Sequence, residues 1–383
     1  MKKNIVLIGG AGAPNYGDEL IVRGWLKFFG NHAEECNITF YENLAENSRK
    51  LHDQHATGKN RIQFQDDLVQ VAKSYVGINF WEQIIRGYTF IEKRGLEKYA
   101  GYQLTPLLEA DIIHLHGGGY LNNYDPEKGF YIGLLAALKE KHGTEIFATG
   151  IGFGPVPVPG AEIQGVIHDI FKQFRLFELR DVDNFRFLKK TFGEAAFHYG
   201  LDDCYLLSTG DLFQRDETGP RLYLSYLSYN ISQASERYWD RLKKFSEKFE
   251  ETIFWESYPW QDKEVFTYLK KKLPNLKKLE VKDALDHKVK IGSKDFVICS
   301  RFHVHFVLAR AGLHGIYMKD SKYYDIKHQS IVDRGSTFTV ANFSSSAIVN
   351  KGKIFDSPIT VCDMSSHESK LELSKRMYSL CSP

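Results

Sequence analysis

Short apolar runs alternate with longer amphipathic segments along the first half of the chain. The apolar runs are "NIVLIG" at 4–9, "NITFY" at 37–41, "ADIIHLHGGG" at 110–119, "EIFATGIG" at 145–152 and "RLFELRD" at 175–181. Between them, segments such as "DELIVRGWLKFFG" and "KGFYIGLLAALKEKHG" carry apolar residues at helical spacing and end at glycine. This alternation predicts strands and helices in βαβ order, and therefore a parallel, doubly wound sheet.

The same pattern starts again after a less regular stretch at 200–220. The predicted strands "RLYLSYLS", "ETIFWES", "LKKLEV", "DFVICS" and "HGIYM" are separated by helical segments such as "SERYWDRLKKFSEKF" and "DKEVFTYLKKKL". We therefore predict two Rossmann-like domains, residues 1–205 and 206–335, followed by an irregular segment and a closing helix at 336–383. Ligands of open α/β sheets bind at the carboxyl ends of the strands, so we expect the chemistry there, in a cleft between the domains.

Composition narrows the class of protein. Of 383 residues, 43% are apolar and 26% charged, which is typical of a globular protein, and a net charge of +2 gives no general reason to expect nucleic acid as a partner. Five scattered cysteines without a C-x-x-C spacing indicate neither a disulfide framework nor a zinc site. No apolar run is long enough for a signal peptide or a spanning helix, so we expect a cytoplasmic protein.

The turn after the first predicted strand, "GGAGAPNYGDEL", is rich in glycine and leads into a helix. Gly10 and Gly12 begin a dinucleotide-binding pattern, but Asn15 stands where its third glycine belongs, and Glu42 is the candidate ribose-binding acid. Asp18 would repel a pyrophosphate, although its carboxylate could bind sugar hydroxyls. Asn15 and Asp18 are therefore candidate site residues, the alternative being a helix cap and an acid favoured by the helix dipole.

A second predicted strand ends in "HLHGGGYLNN", which contains Gly117, Gly118 and Gly119. Consecutive glycines are tolerated mainly where the backbone must come close to another group, so these three are candidate binding residues. His114 and His116 precede them, and we interpret at least one of the two as a buried, hydrogen-bonded residue.

Two more predicted strands end in unusual residues. "ATGIGFGP" at 148–155 is rich in glycine, and "FELRD" places Arg180 and Asp181 directly after an apolar run. Such an Arg-Asp pair is either a solvated turn or part of a site, and its position at the expected sheet edge favours a site as strongly as a turn.

The segment "SRFHVHFVLARAG" at 300–312 follows another apolar strand. Its helical pattern starts near Phe302, and His303 and His305 lie about 200° apart on a helix, which argues against a metal site formed by both. Backbone N–H groups, the Arg301 guanidinium and the His303 imidazole would converge on one anion. We interpret His303 as functional and His305 as structural.

Taken together, these motifs resemble the polysaccharide pyruvyltransferase family. The matching segments, spread over residues 4–317, are Asn15-Tyr16-Gly17-Asp18, Gly117-Gly118-Gly119, "TGIGFGP", Leu179-Arg180-Asp181 and Ser300-Arg301-Phe302-His303. Three positions depart from the family pattern. Phe302 stands where leucine is usual, Asn184 stands where serine is frequent, and Asp203-Cys204 stands where the family has Asp-Pro at the domain junction.

The resemblance implies a fold like that of GT-B glycosyltransferases and the transfer of a pyruvyl group from phosphoenolpyruvate to two hydroxyls of a sugar, forming a ketal in capsule or exopolysaccharide synthesis. Arg180 and Arg301 would bind the phosphate and carboxylate of the donor, since guanidinium groups pair well with both. His303 would protonate the methylene carbon. Asp18 would orient or deprotonate an acceptor hydroxyl.

The resemblance also implies a set of binding residues, namely Asn15, Gly17, Gly117, Gly118, Gly119, Ser300 and Phe302. No cofactor or metal is expected beyond the donor itself. The expected acceptor is a sugar or a lipid-linked oligosaccharide, with at most peripheral contact with the inner membrane face. Trp81, Trp255, Tyr258 and Trp260 are aromatic candidates for sugar stacking, although most are expected to lie in the core.

Two other classes stay open from the sequence. A nucleotide-sugar-dependent glycosyltransferase of GT-B architecture has the same double α/β layout, and fold does not fix function. A non-catalytic sugar-binding or assembly protein is the other. Consumption of phosphoenolpyruvate with release of phosphate separates the pyruvyltransferase from both.

Overall fold

The computed structural model describes residues 2–32, 35–55, 59–74, 79–193, 195–343 and 363–379. The chain divides into two compact units. The first comprises Met1–Ala13, Asp18–Leu206 and His367–Pro383, and the second comprises Pro14–Gly17 and Leu207–Ser366. The short segment Pro14–Gly17 thus belongs to the second unit although it precedes most of the first in the chain.

The first unit is built on a parallel sheet. Its strands in chain order are β1 (Lys3–Ile8), β2 (Cys36–Tyr41), β3 (Arg61–Gln65), β4 (Ile112–Leu115), β5 (Gly118–Leu121), β6 (Glu145–Phe153), β7 (Leu176–Leu179) and β8 (Phe197–Tyr199). They lie in the order β3-β2-β1-β4-β6-β7-β8, with β5 paired to β6. Lys3 of β1 pairs with Cys36 of β2, and Ile5 pairs with Ile112 of β4. The order reverses between β1 and β4, as in a Rossmann fold.

Helices connect these strands. They are α1 (Tyr16–His32), α2 (Ala45–His52), α3 (Asp67–Lys73), α4 (Phe80–Thr89), α5 (Gly95–Lys98), α6 (Thr105–Leu108), α7 (Gly129–His142), α8 (Ala161–Lys172) and α9 (Val182–Phe192). Residues 129–138 of α7 are all buried, so this helix lies inside the core. It ends at Gly143, whose φ of 73° is the left-handed conformation that favours glycine.

The second unit repeats this plan. Its strands in chain order are β9 (Phe213–Arg215), β10 (Arg221–Ser225), β11 (Glu251–Trp255), β12 (Lys277–Leu279), β13 (Val289–Ile291), β14 (Phe296–Cys299), β15 (His314–Met318) and β16 (Thr339–Ala341). Six of them form a parallel sheet in the order β12-β11-β10-β14-β15-β16, whereas β9 pairs with β13. The order of the larger sheet reverses between β10 and β14.

The helices of the second unit follow its strands. They are α10 (Thr209–Leu212), α11 (Asn230–Gln233), α12 (Glu236–Ser246), α13 (Pro259–Lys272), α14 (Val281–Asp286), α15 (Phe302–Arg310) and α16 (Lys322–Val332). A final helix, α17 (Asp363–Ser379), covers the segment predicted to close the chain, and its residues from His367 onward belong to the first unit.

The prediction of two parallel, doubly wound sheets is confirmed. Five short strands were missed, namely β3, β8, β9, β13 and β16, and the run at 110–119, predicted as one strand, is divided between the separate strands β4 and β5. The last lies in the stretch that we expected to be irregular, where Ile316 of β15 pairs with Thr339. The remainder of that stretch, residues 344–362, lies outside the described residues.

Candidate active site

Each of the two large sheets has one point at which its strand order reverses, and the loops after the two flanking strands lie there. In the first unit these loops follow β1 and β4, and in the second they follow β10 and β14. Ligands of doubly wound sheets bind at such points, outside the carboxyl ends of the strands. The candidate residues from the sequence fall largely on these loops.

Buried carboxylates occupy the glycine-rich loop after β1. Glu42 accepts a hydrogen bond of 2.6 Å from the backbone N–H of Ala11, and Glu19 accepts one of 2.8 Å from that of Gly12. A pyrophosphate would need these N–H groups and would be repelled by both acids. Glu42 is only 1% exposed and also contacts His116 at 2.7 Å. The structure therefore argues against the dinucleotide interpretation, in which Glu42 binds a ribose.

Backbone groups of the glycine run at 117–119, after β4, are hydrogen-bonded to neighbouring side chains, and Gly118 lies next to Asp18. The N–H of Gly117 donates to Asp203 at 2.7 Å, and the carbonyl of Gly119 accepts from Asn122 at 2.7 Å. Gly118 has a φ of +148°, and a Cβ atom there would lie 2.7 Å from the Tyr120 ring and 3.4 Å from Asp18 Oδ1. The half-buried Asp18 carboxylate and Gly118 thus face each other at the reversal point.

His114 and His116 are both completely buried and hydrogen-bonded. His114 contacts Thr149 at 2.8 Å, and burial lowers its pKa to about 3. Burial alone would lower the pKa of His116 as well, but the adjacent Glu42 carboxylate raises it overall. Both histidines therefore support the loops rather than face a ligand, in agreement with the structural interpretation.

Arg180 follows β7, and its side chain is buried, unlike that of a solvated turn residue. Its side chain is 3% exposed, and Nη1 donates to Asp202 Oδ2 at 2.6 Å. The neighbouring Asp181 caps α9 by accepting from the Asn184 N–H at 2.8 Å, and it also accepts from the Asn184 side-chain amide. Asparagine at position 184 thus adds a second hydrogen bond to the Asp181 carboxylate, donated by its side-chain amide.

Ser300 and Arg301 form the reversal point of the second unit. The N–H of Ser300 donates to the carbonyl of Ser225, at the end of β10, at 2.7 Å. The Ser300 hydroxyl and Arg301 Nε are buried, and neither has a hydrogen-bond partner within the described part of the chain. Arg301 is the residue directly before α15, so its backbone and side chain stand at a helix N-terminus, which favours an anion.

Asp262 fixes the guanidinium of Arg301. Its Oδ1 accepts from Arg301 Nη2, while Oδ2 accepts from the N–H groups of Ser257 and Tyr258 at 2.7 and 2.8 Å. Because Asp262 is fully buried and held by three donors, it presents Arg301 in one orientation. Asp262 was not predicted from the sequence, although it lies in the first turn of the helix that follows a predicted strand.

His303 packs against the segment Pro14–Gly17. A Cβ atom on Gly17 would lie 1.7 Å from His303 Nδ1, so only glycine leaves room for the imidazole there. The segment is anchored by the Tyr16 N–H, which donates to the Ser257 carbonyl at 2.8 Å. The half-buried Asn15 accepts from the Gly17 N–H at 3.2 Å, which shapes the turn. The structure thus brings Asn15 and Gly17 together with His303.

Phe302 packs against His303, whereas His305 lies among other residues. The Phe302 ring is buried and meets the imidazole edge-on, with 4.7 Å between ring centroids. His305 contacts His328 and Ser336 at 2.9 and 2.8 Å, and burial lowers the pKa of His305 well below its usual value. The two neighbouring histidines therefore have different surroundings, as their helical spacing predicted.

Two tyrosines, Tyr324 and Tyr229, interact electrostatically with Arg301. Tyr324 is half-buried, and its burial raises its pKa, whereas the nearby Arg301 charge opposes that shift. The Tyr229 hydroxyl donates a hydrogen bond to the Asp320 carboxylate.

Comparison with solved structures identifies the class of fold. The chain is similar to UDP-GlcNAc 2-epimerase from Neisseria meningitidis bound to UDP-GlcNAc (TM-score 0.51, 9% identity, covering 99% of this chain and 100% of that chain). It is also similar to a glycosyltransferase from Rickettsia africae (TM-score 0.51, 10% identity, 100% and 99% covered). These likenesses concern the fold alone, and with the two strand orders they confirm a GT-B-like pair of Rossmann units.

The family model for polysaccharide pyruvyl transferase matches residues 15–305, which is more than half of the chain. The chain therefore belongs to the polysaccharide pyruvyl transferase family, as the sequence motifs predicted. The comparison with curated proteins gave no match. Among the residues that the structure describes, no helix combines the length and apolar character needed to cross a bilayer.

Proposed function

We propose that this protein transfers a pyruvyl group from phosphoenolpyruvate to two hydroxyls of a sugar in a cell-surface polysaccharide or its lipid-linked precursor. The observation that carries the proposal is the anion-binding corner at the reversal point of the second unit. There the buried Ser300 hydroxyl, the Asp262-held Arg301 guanidinium and the start of α15 stand next to His303.

The donor carries a phosphate and a carboxylate, and both suit this corner. A guanidinium makes paired, charge-assisted hydrogen bonds to either group, and N–H groups at a helix start favour negative charge. The Ser300 hydroxyl adds a short neutral donor. We assign Ser300 and Arg301 to the donor, and Arg180 remains the second candidate for one of its charged groups.

The reaction needs one proton delivered to carbon and two bonds formed to oxygen. His303 gives its proton to the methylene carbon of the donor, which leaves positive charge on the adjacent carbon that bears the phosphate. A first acceptor hydroxyl attacks that carbon, and the proton that it loses restores the acid form of His303. The second hydroxyl then displaces the phosphate, and its proton leaves with the phosphate, so the products are the cyclic ketal and inorganic phosphate. The donor itself supplies the activated pyruvyl group, and the scheme uses no resident cofactor.

The residues of the first unit suit a hydroxyl-bearing ligand. Asp18 is half-buried beside Gly118, and a carboxylate there can accept a hydrogen bond from a sugar hydroxyl or take its proton. We assign Asp18 and Gly118 to the acceptor, with Gly119 alongside.

The test is to incubate the protein with phosphoenolpyruvate and methyl glycosides of galactose, mannose and N-acetylglucosamine. Phosphate release that depends on the glycoside, together with a ketal product found by mass spectrometry, is the expected result. His303→Ala and Arg301→Ala should abolish both while the protein stays folded. The exposed His287 and Arg94 provide matched controls, and alanine at either position should leave turnover unchanged. Consumption of a uridine-diphosphate sugar without phosphoenolpyruvate would replace the proposal by a glycosyltransferase.

A further inference from the structure

One tryptophan differs from the other four. Trp25, Trp81, Trp239 and Trp255 are at most 2% exposed, whereas Trp260 is 57% exposed. Two of the four aromatic residues that the sequence offered for sugar stacking, Trp81 and Trp255, are therefore core residues. Trp260 is not, and tryptophan is enriched at binding interfaces, because its ring is apolar and its N–H can donate a hydrogen bond.

Trp260 is part of a small aromatic platform, which we define as Tyr258, Trp260 and Gln261. The rings of Tyr258 and Trp260 lie 5.6 Å apart at 57°, so the half-buried tyrosine supports the exposed indole from one side. Gln261 is exposed beside them and offers an amide donor and acceptor. The platform thus combines a supported π face with a neutral hydrogen-bonding group.

The platform is attached to the residues that hold Arg301. It lies at the start of α13, one residue before Asp262, which pairs with the Arg301 guanidinium. Gln261 Oε1 itself lies 3.4 Å from Arg301 Nη2. A ligand on the indole would therefore lie next to the anion-binding corner, although the platform carries no charge of its own.

This chemistry fits a sugar ring. A pyranose has one face of C–H groups that packs on an aromatic ring, and a rim of hydroxyls that needs neutral donors and acceptors such as an amide. An anion would gain little from an uncharged π face, because the ring face carries negative potential. The family acts on polysaccharides, so a sugar ring is also the neutral partner that the reaction requires.

We propose that the aromatic platform of Tyr258, Trp260 and Gln261 is a binding subsite for a neutral hexopyranose ring of the polysaccharide acceptor. The inference rests on the proposed pyruvyl transfer for the role of that ring as an acceptor. Binding of the ring to the platform can be measured without turnover, so an experiment can refute the subsite without refuting the proposed reaction, and the reverse.

The first measurement is fluorescence. Because the other four tryptophans are buried, collisional quenching by acrylamide should report mainly Trp260. Methyl glycosides of galactose, mannose or N-acetylglucosamine should protect it from quenching, and this protection should disappear in Trp260→Phe. Failure of all three glycosides to protect overturns the inference. So does protection by uridine diphosphate alone, because it would indicate a nucleobase subsite. Protection without any phosphate release from phosphoenolpyruvate would leave the subsite standing and refute the proposed reaction.

The second measurement is kinetic and uses whichever glycoside serves as acceptor. Trp260→Ala should raise the KM for the acceptor about 10-fold, since aromatic stacking and its buried area are lost together, while kcat and the KM for phosphoenolpyruvate stay unchanged. Trp260→Tyr should restore most of the affinity. Tyr102→Ala removes an exposed aromatic side chain from the first unit and should change no constant. An unchanged acceptor KM in Trp260→Ala contradicts the subsite.

Discussion

Gly17 lies so close to His303 that a Cβ atom added to it would come within 1.7 Å of the imidazole Nδ1. The two residues are far apart in the sequence, yet the segment Pro14–Gly17 packs within the second unit. The family motif at Asn15-Tyr16-Gly17 is thereby given a physical meaning. Gly17, which has no side chain, leaves the space that the imidazole of the proposed acid His303 occupies.

Gly17→Ala should therefore disturb His303 more than it disturbs the fold. The new methyl group must displace the imidazole or the start of α1, and a misplacement of about 1 Å in a catalytic group can lower kcat by about 10²-fold. We expect a loss of that size with a decrease of about 1–3 kcal/mol in the free energy of unfolding. Steady-state turnover and urea unfolding measure the two effects.

Gly165 provides the matched control for that substitution. It lies in α8, is exposed, and a Cβ atom there would meet nothing within 4 Å. Gly165→Ala should leave turnover unchanged and raise stability by up to about 1 kcal/mol, because alanine is the better helix former. Full activity in Gly17→Ala would show that His303 tolerates displacement and would count against its role as the acid.

Asp262→Asn tests whether Asp262 positions Arg301. The amide keeps the shape of the side chain but loses the charge that fixes the guanidinium. We expect the KM for phosphoenolpyruvate to rise about 10-fold, which corresponds to the loss of one charge-assisted hydrogen bond, with a smaller change in kcat. Initial rates at varied donor concentration give both constants.

Asp295→Asn is the matched control, since Asp295 is as buried as Asp262 and pairs with Arg221 at 3.2 Å. It precedes β14, at the opposite end of that strand from Ser300 and Arg301. The substitution should lower the free energy of unfolding without changing the KM for phosphoenolpyruvate. If the two variants showed the same KM, Asp262 would be a structural residue only.

The features predictable from the sequence are those with a local signal. Apolar runs such as residues 4–9 are buried on both faces of a parallel sheet, so they mark strands without any knowledge of their neighbours. β3, with the sequence "RIQFQ", and β16, "TVA", gave no such signal, because both are strands at the edge of a sheet. Their pairing depends on strands elsewhere in the chain.

The same distinction between local signals and long-range contacts applies to the candidate site. Ser300, Arg301 and His303 could be proposed from the sequence because three chemical groups follow one strand, but the residues that support them could not be identified from that segment. Asp262 acts through a hydrogen bond to a residue 39 positions away. Glu42 fits a ribose-binding pattern in the sequence, yet its carboxylate is used by the Ala11 N–H and His116. Only the folded chain shows which partner each acid has.

Acid should destabilise the second unit through His328. Burial lowers the pKa of His328 to about 4 in the folded protein, whereas an unfolded histidine titrates near 6.5. Between these values the unfolded chain binds more protons, so the stabilising contribution is present above about pH 6.5 and is lost as the pH falls toward 4. The loss amounts to at most about 3 kcal/mol.

His328→Gln should remove that part of the pH dependence. The variant is expected to be less stable at neutral pH, because its contacts with His305 and the Ser300 carbonyl change, but to lose less stability on acidification than the natural protein. Urea unfolding at about pH 7 and about pH 5 measures the difference. His287→Gln, at an exposed histidine, is the control. An equal loss on acidification in His328→Gln and the natural protein would assign the acid sensitivity to other groups.

Lys370 should be essential to the stability of the first unit. It is completely buried in α17, pairs with Asp203 at 2.6 Å and with Glu178, and donates to the Leu201 carbonyl at 3.1 Å. Burial alone would lower the pKa of Lys370, but the two carboxylates raise it overall, so the amine stays charged. Asp203 in turn accepts from Gly117, which ties this helix to the glycine run of the candidate site.

Lys370→Met would leave two buried carboxylates without their cation. Removing one partner of a buried ionic group typically costs about 3–5 kcal/mol, and we expect a decrease of that size in the free energy of unfolding. Lys375→Met, at an exposed position of the same helix, should change it by less than about 0.5 kcal/mol. Thermal and urea unfolding of both variants measure the difference. A small effect at Lys370 would mean that Asp203 or Glu178 takes up a proton instead, and the stability of Lys370→Met would then rise as the pH is lowered.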